Sequence, residues 1–257
     1  MTGRLEGRVV LVTGAAQGIG EAIALSALAK GAQVAMLDLD GDRVRAAAQA
    51  TGAADRCLPL PADVRDETAV ATAVAQVSAT FGAVDVLVNN AGVNVRHDAT
   101  TMTQEEWDDV FSVDLKGAWL CCKHVLPAMR QRRRGSIVNI ASIHARLTTA
   151  GMFPYAAAKS GLVGLTRSLA LDVAPEGIRV NAVCPGWTHT RLVDEAYALA
   201  PDPVAAQRAV HAAHPMGRIG TPAEIANVVT FVASDEASFM TGTEIYVDGG
   251  LSARFAS

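Results

Sequence analysis

The sequence predicts an α/β fold: a doubly wound parallel sheet of about seven strands, flanked by helices, in a single domain. Two observations carry that expectation. Short β-branched runs alternate with longer alanine-rich stretches of helical period, the pattern of repeated strand–helix–strand units that feed a parallel sheet. Half of the 257 residues are hydrophobic but only 5% are aromatic, so the interior must be built from Ala, Val, Leu and Ile, as in sheets covered by helices on both faces. No Pro/Gly/Ser-rich linker, charge block or repeat of solenoid period interrupts the alternation, so the whole of 1–257 reads as one unit.

In chain order, strands are expected at Val9–Thr13, Gln33–Asp38, Cys57–Leu60, Val84–Val88, Ser136–Ala141, Arg179–Val183 and Glu244–Val247. Helices are expected at Gly18–Lys30, Gly41–Ala50, Glu67–Phe81, Gln104–Arg130, Tyr155–Ala174 and Pro222–Ser234. The stretch 185–220 is the least regular, with prolines and histidines breaking the rhythm. An excursion of that length in a compact domain reads as a substrate-covering segment, or as a plain surface loop.

The net charge of −4 argues against a nucleic-acid partner, because phosphate binding draws on clustered cations. The basic run from Arg130 to Arg134 falls at a predicted helix end, where cations complement the dipole, and is expected to be a solvated cap. Cys57, Cys121, Cys122 and Cys184 form no CxxC pair and have no zinc-like spacing to histidine, so no metal is expected. The first apolar run, Val9 to Val12, is too short for a signal peptide or a membrane span, and a cytoplasmic location is expected by default.

The first strand ends in Thr13-Gly14-Ala15-Ala16-Gln17-Gly18-Ile19-Gly20 and runs straight into a helix. Glycines there let the backbone turn tightly and approach a pyrophosphate, which sits on the free N–H groups and positive end of that helix. Asp38 closes the second strand, where a carboxylate accepts hydrogen bonds from ribose hydroxyls and repels a 2′-phosphate. Neither Gln17 nor Leu39 supplies a cation to rescue such a phosphate, so NAD is expected rather than NADP. Asp63-Val64 follows the third strand and Asn89-Asn90-Ala91-Gly92 the fourth, which puts Asp63, Val64, Asn90, Ala91 and Gly92 at the strand ends that line the ligand crevice. The last four residues also make an ordinary turn.

Taken together, TGAAQGIG at 13–20, NNAG at 89–92, Ser142, Tyr155-Ala-Ala-Ala-Lys159, Pro185-Gly186 and the closing Tyr246-Val247-Asp248-Gly249-Gly250 resemble the short-chain dehydrogenase/reductase family over essentially the whole chain. The resemblance implies a single Rossmann-like domain that moves hydride to or from an alcohol or carbonyl carbon without a metal. It also implies that Lys159 and Tyr155 lie against the nicotinamide ribose. Pro185, Gly186, Thr188 and Thr190 would contact the nicotinamide end.

The reactive residues make chemical sense by themselves. Tyr155 and Lys159 are one helical turn apart, so their side chains share a face. A phenol ordinarily ionises at a pKa of about 10, and bringing that to neutrality takes about 4 kcal/mol. An ammonium roughly 4 Å away, at an effective dielectric of about 20, supplies that much. Tyr155 is thus the expected acid/base, and Ser142 at the end of the fifth strand the hydrogen-bond partner of the substrate oxygen. One residue departs from the family pattern: Asp114 stands where the family commonly has asparagine, which puts a carboxylate near Lys159 and makes Asp114 a fourth catalytic candidate.

Asn94, Arg96, His144 and His189 are the polar groups expected to face the substrate, with Trp187 as a wall. Such a lining suits a sugar, polyol or other small hydroxylated compound. A 3-oxoacyl thioester or ketone reductase is the alternative enzyme, and a non-catalytic NAD-binding sensor the alternative of another class. The resemblance favours a homotetramer built on the long helices and the C-terminal strand.

Overall fold

A computed structural model describes residues 3–254. Seven strands form one parallel sheet in the order β3-β2-β1-β4-β5-β6-β7. They are β1 Val9–Thr13, β2 Gln33–Asp38, β3 Cys57–Pro61, β4 Val86–Asn89, β5 Gly135–Ile140, β6 Ile178–Pro185 and β7 Glu244–Val247. The helices are α1 Gly18–Ala29, α2 Gly41–Ala50, α3 Glu67–Phe81, α4 Gln104–Phe111, α5 Gly117–Arg132, α6 Phe153–Val173, α7 Arg191–Ala198, α8 Pro203–Ala213 and α9 Pro222–Ala233.

Central strands are apolar along their length because helices cover both faces. All of β1 is buried. On one face Val10, Val12, Val34 and Met36 meet Ile23, Ala24 and Ala27 of α1 and Ile225 and Val229 of α9. On the other, Leu11, Leu37, Leu87 and Ile137 meet α3 and α5 through Val70, Val77, Cys121 and Met129. Strand β1 pairs with β2 on one side and β4 on the other, Val12 lying opposite both Met36 and Val88. The chain order reverses there, and the carboxyl ends of the strands open a crevice at that point.

Three expectations are corrected. The helix expected over 104–130 is two helices joined by a π-helical turn, Ser112–Lys116, with buried Asp114 at its middle. An extra residue in a turn is invisible to a 3.6-residue periodicity. The basic run is more than a solvated cap: Arg132 Nη1 and Arg134 Nη2 donate to Asp85 Oδ1 at 3.0 and 2.7 Å. Asp85 is buried and its Oδ2 accepts the Val9 N–H, so its charge needs a partner within the fold. Finally, the irregular stretch 185–220 contains α7 and α8.

All four cysteines are free and buried, and burial pushes the Cys122 and Cys184 thiols up to about 12. Among the described residues no group of three or more His, Cys, Asp or Glu side chains is placed to hold a metal, and no helix is long and apolar enough to cross a membrane.

Candidate active site

The glycine-rich turn links β1 to α1. Gly14 and Gly18 both have φ of +62°, a left-handed backbone that a side chain disfavours, and a Cβ on Gly14 would lie 2.8 Å from Ala91 Cα. The turn and the NNAG segment are therefore pressed together. Asn90 Nδ2 donates to the carbonyls of Thr13 and Gly14 at 3.0 and 2.9 Å, while Thr13 Oγ1 accepts the N–H groups of Asn90 and Ala91. Beneath them a buried chain runs from Asn89 Nδ2 to Asn139 Oδ1 and from Asn139 Nδ2 to Thr166 Oγ1, each 2.8 Å, tying β4 to β5 and α6. Pairing of this kind offsets the cost of buried amides.

These residues fit a nicotinamide dinucleotide. No side chain caps the first turn of α1, so that turn can take an anion from the adjoining backbone, with Gly18, Ile19 and Gly20 as its first residues. Asp38 Oδ2 accepts the Ala16 N–H at 2.9 Å and Oδ1 that of Asp40 at 3.0 Å, which sets the carboxylate beside the turn with acceptor capacity left over. Asp63 is held by Arg65, whose guanidinium keeps the carboxyl below the usual carboxylate range, and buried Val64 packs on Gly117. Gly186 packs against Asp248 of the C-terminal segment, Thr188 is buried, and Thr190 lies over Gly18.

Ser142 follows β5 and is buried; its Oγ accepts the His144 N–H at 3.1 Å. Tyr155 stands in the first turn of α6, where Pro154 is tolerated because those N–H groups lack intrahelical partners. One turn later Lys159 lies with Nζ 5.6 Å from the centre of the Tyr155 ring, so the two side chains share a face. Lys159 Nζ donates to Ile140 O at 3.2 Å and lies 3.9 Å from Asp114 Oδ2, and a Cβ on Gly92 would come within 3.1 Å of it. The ammonium is buried with one protein acceptor in hydrogen-bond reach, leaving donors for a ligand. Asp114 Oδ1 accepts the Val93 N–H at 2.7 Å, and Oδ2 is buried without a hydrogen-bond partner. Burial pushes the Asp114 carboxyl above its usual range, against the pull of Lys159 and the Val93 N–H.

The residues expected around the substrate fall into two places. His144 presents its ring edge-on to Tyr155 at 5.6 Å, and Asn94 and Arg96 are exposed on the loop after β4. Trp187 stacks on Tyr197 of α7 at 6.3 Å. His189 instead lines a separate cleft with Gln207, His211, Arg218 and Glu224, its Nε2 3.5 Å from Asp194. Two cations escaped the sequence reading of the cofactor end: Arg43 Nη1 and Arg191 Nε each donate to Gln17 Oε1 at 3.1 Å. Their partner lies 26 and 174 positions away, and no local spacing signals either contact.

A family model described as Enoyl-(Acyl carrier protein) reductase matches residues 14–252. Oxidoreductase UcpA of Salmonella typhimurium is 39% identical over 251 residues, covering 96% of this chain and 95% of the relative. The 3-oxoacyl-[acyl-carrier-protein] reductase FabG of Thermotoga maritima is 39% identical over 249 residues, covering 96% of this chain and 99% of the relative. The ligand-free aldohexose dehydrogenase of Thermoplasma acidophilum superposes with a TM-score of 0.90 at 37% identity, covering 100% of this chain and 98% of that one.

Proposed function

The chain belongs to the short-chain dehydrogenase/reductase family, and from that premise we propose that it is an NAD(H)-dependent oxidoreductase interconverting an alcohol and a carbonyl on a sugar, polyol or other small hydroxylated substrate. That it is an enzyme acting on CH–OH groups follows from the family. The observation that carries the reading is Lys159 Nζ 5.6 Å from the centre of the Tyr155 ring and donating to Ile140 O at the end of β5, two residues before Ser142.

A bound nicotinamide cofactor supplies the hydride acceptor or donor. Tyr155 Oη then takes the alcohol proton in oxidation and returns it in reduction, with the Lys159 ammonium one helical turn away beside its ring. Ser142 Oγ hydrogen-bonds the substrate oxygen. The glycine-rich turn with Gln17, together with Asp38, Asp63, Asn90, Ala91, Pro185, Gly186, Thr188 and Thr190, binds and orients the cofactor. Segment 185–220 covers the substrate.

The preference for NAD rests on charge pairing. Asp38 has no cation within 4.0 Å among the described residues, while Arg43 is matched by Asp40 at 3.4 Å and Arg191 by Glu195 at 2.8 Å. A 2′-phosphate beside Asp38 would face a bare carboxylate, and the nearby arginines are each shared with an acid of their own.

A second reading, a 3-oxoacyl thioester or ketone reductase, is supported by the likeness to the Thermotoga reductase. A panel of sugars, polyols, secondary alcohols and 3-oxoacyl thioesters, run with NAD(H), separates the two. In the same assay Tyr155→Phe is expected to bind NADH, followed by nucleotide fluorescence, and to lose turnover by about 10²–10⁴-fold. Near wild-type turnover in that variant would remove Tyr155 from the chemistry, and no turnover of any compound by the wild type would favour a sensor. For the assembly the reading is a homotetramer, whose interfaces on the long helices would cover the exposed Trp119 on α5 and Leu171 on α6. A monomer mass in sedimentation would count against it.

A further inference from the structure

Resting on the assignment of Ser142, Tyr155 and Lys159 to alcohol–carbonyl chemistry, we propose that the substrate carries a carboxylate and that Arg96 is the residue that selects it. Arg96 lies on the loop leaving β4, and that loop is fastened to the one entering α6: His97 N–H donates to Gly151 O at 2.9 Å, and Arg96 Nη1 reaches Ala150 O at 3.4 Å. The segment that receives it runs directly into Tyr155, so the guanidinium stands at the rim of the reactive end. Its carbonyl contact is long for a charged donor and leaves most of its five N–H groups uncommitted.

The other charged groups around this rim are engaged by neighbours, not all of them by an opposite charge. Asp98 Oδ1 accepts from the N–H and hydroxyl of Thr100. Glu106 caps Thr103 and lies 3.8 Å from His97. The Arg146 guanidinium stands 5.6 Å over the Tyr246 ring, whose hydroxyl donates to Glu244. Among the described residues Arg96 has no carboxylate within 4.0 Å.

His144 supplies an independent observation. It follows Ser142 by two residues, lies edge-on to the Tyr155 ring, and shares its Nδ1 with Thr148 Oγ1 at 2.9 Å. Burial, and then the positive charge of Arg96, hold its imidazole below the usual histidine range, so it is neutral at neutral pH, and the Arg96 charge is felt at the reactive pocket. The other ring nitrogen, Nε2, has no partner among the described residues and donates in the tautomer in which the Thr148 hydroxyl donates to Nδ1. The rim thus offers, in Arg96, a permanent cation with no carboxylate within 4.0 Å among the described residues, beside the His144 ring and the exposed Asn94 amide, while Asp98 is turned into its own loop by Thr100. A planar guanidinium fits a carboxylate through two parallel hydrogen bonds. A phosphate dianion would call for more than one unmatched cation, and a neutral polyol or a thioester would leave Arg96 without an anion.

The test compares matched pairs with the intact enzyme and NAD: gluconate against sorbitol, and a short hydroxy acid against its amide, with a sugar phosphate as a third arm. The wild type is expected to favour each acid over its neutral partner by at least tenfold in kcat/KM. Arg96→Ala should lower that ratio at least tenfold, mainly through KM, and Arg96→Lys should recover part of it. Equal treatment of acid and neutral partner by the wild type, an unchanged ratio in Arg96→Ala, or preference for the phosphate ester would each overturn the proposal. Calorimetric titration of the same compounds into Tyr155→Phe loaded with NADH keeps the two readings apart. Acid binding that is lost on adding Arg96→Ala upholds the carboxylate site even where turnover assigns the proton chemistry elsewhere; absence of acid binding overturns it.

Discussion

Helix α1, which carries the glycine-rich turn, buries Gly20, Ile23, Ala24, Ala27 and Leu28 between the sheet and α9, whereas α8 in the segment over the substrate end buries nothing and α7 only Tyr197. The cofactor end is thereby fixed by close packing. Segment 185–220 is tied to the rest of the molecule by polar contacts, Arg191 to Gln17, Met216 N–H to Gly249 O and Arg254 to the carbonyls of Ala212 and Ala213, and is braced within itself by a backbone bridge between Thr188 and Gly220 and by Trp187 on Tyr197. Segments held this way open at low free-energy cost and tolerate sequence change, which suits a surface that adapts to a substrate. The contrast separates what the family shares from what an individual member does.

The largest expected effect comes from truncating equivalent aliphatic side chains at the two ends. Ile225→Ala on α9, at a fully buried side chain, should cost about 2–5 kcal/mol in urea unfolding. Val204→Ala on α8, which is 64% exposed, should cost less than about 0.5 kcal/mol. Similar losses at both positions would show the cover to be part of the core and would erase the contrast.

Cofactor choice sharpens it at the packed end. If the fixed position of Asp38 decides the matter, catalytic efficiency with NAD should exceed that with NADP at least tenfold, or about 1.4 kcal/mol, and Asp38→Ala should narrow the gap. Equal efficiencies in the wild type would mean that Arg43 and Arg191 serve the 2′-phosphate despite their acidic neighbours.

The smallest effect concerns Asp114, at the boundary between the two regions. Its carboxylate lies 3.9 Å from Lys159 Nζ and, once ionised, opposes formation of a second negative charge on Tyr155. Asp114→Asn should stay active and shift the apparent pKa of the oxidation rate downward. Superimposable pH–rate profiles would leave only the backbone at this position with a role, and an upward shift would reverse the sign. A companion readout follows from linkage. Because burial raises the Asp114 carboxyl in the folded state, the stability it contributes is fully present below the ordinary carboxylate range and lost as pH rises through the raised value. The wild type should therefore lose thermal stability relative to Asp114→Asn across that interval, and parallel melting curves would contradict this.

All seven strands were legible, with ends off by at most two residues; the five inner ones because a strand buried on both faces must be apolar, the edge strands β3 and β7 from shorter, partly exposed apolar runs. The spacing from Tyr155 to Lys159 needed only the geometry of one helical turn, and the glycines at 14 and 18 announced left-handed backbone. The same local rules failed at Asp114, where a π-helical turn interrupts a continuous period, and over 191–213, where the two helices are only eight and eleven residues long and show few turns of period.

What the sequence determined by itself is the parallel sheet, the order of its units and the residue types at the crevice, since each is set by neighbours within a turn or a strand. Only the tertiary structure decided which distant polar groups pair: Arg132 and Arg134 with buried Asp85, Arg43 and Arg191 with Gln17, and Arg96 with no carboxylate within 4.0 Å among the described residues. Pairing of charges depends on distance through space and on burial. Residues tens of positions apart acquire both only when the chain has folded.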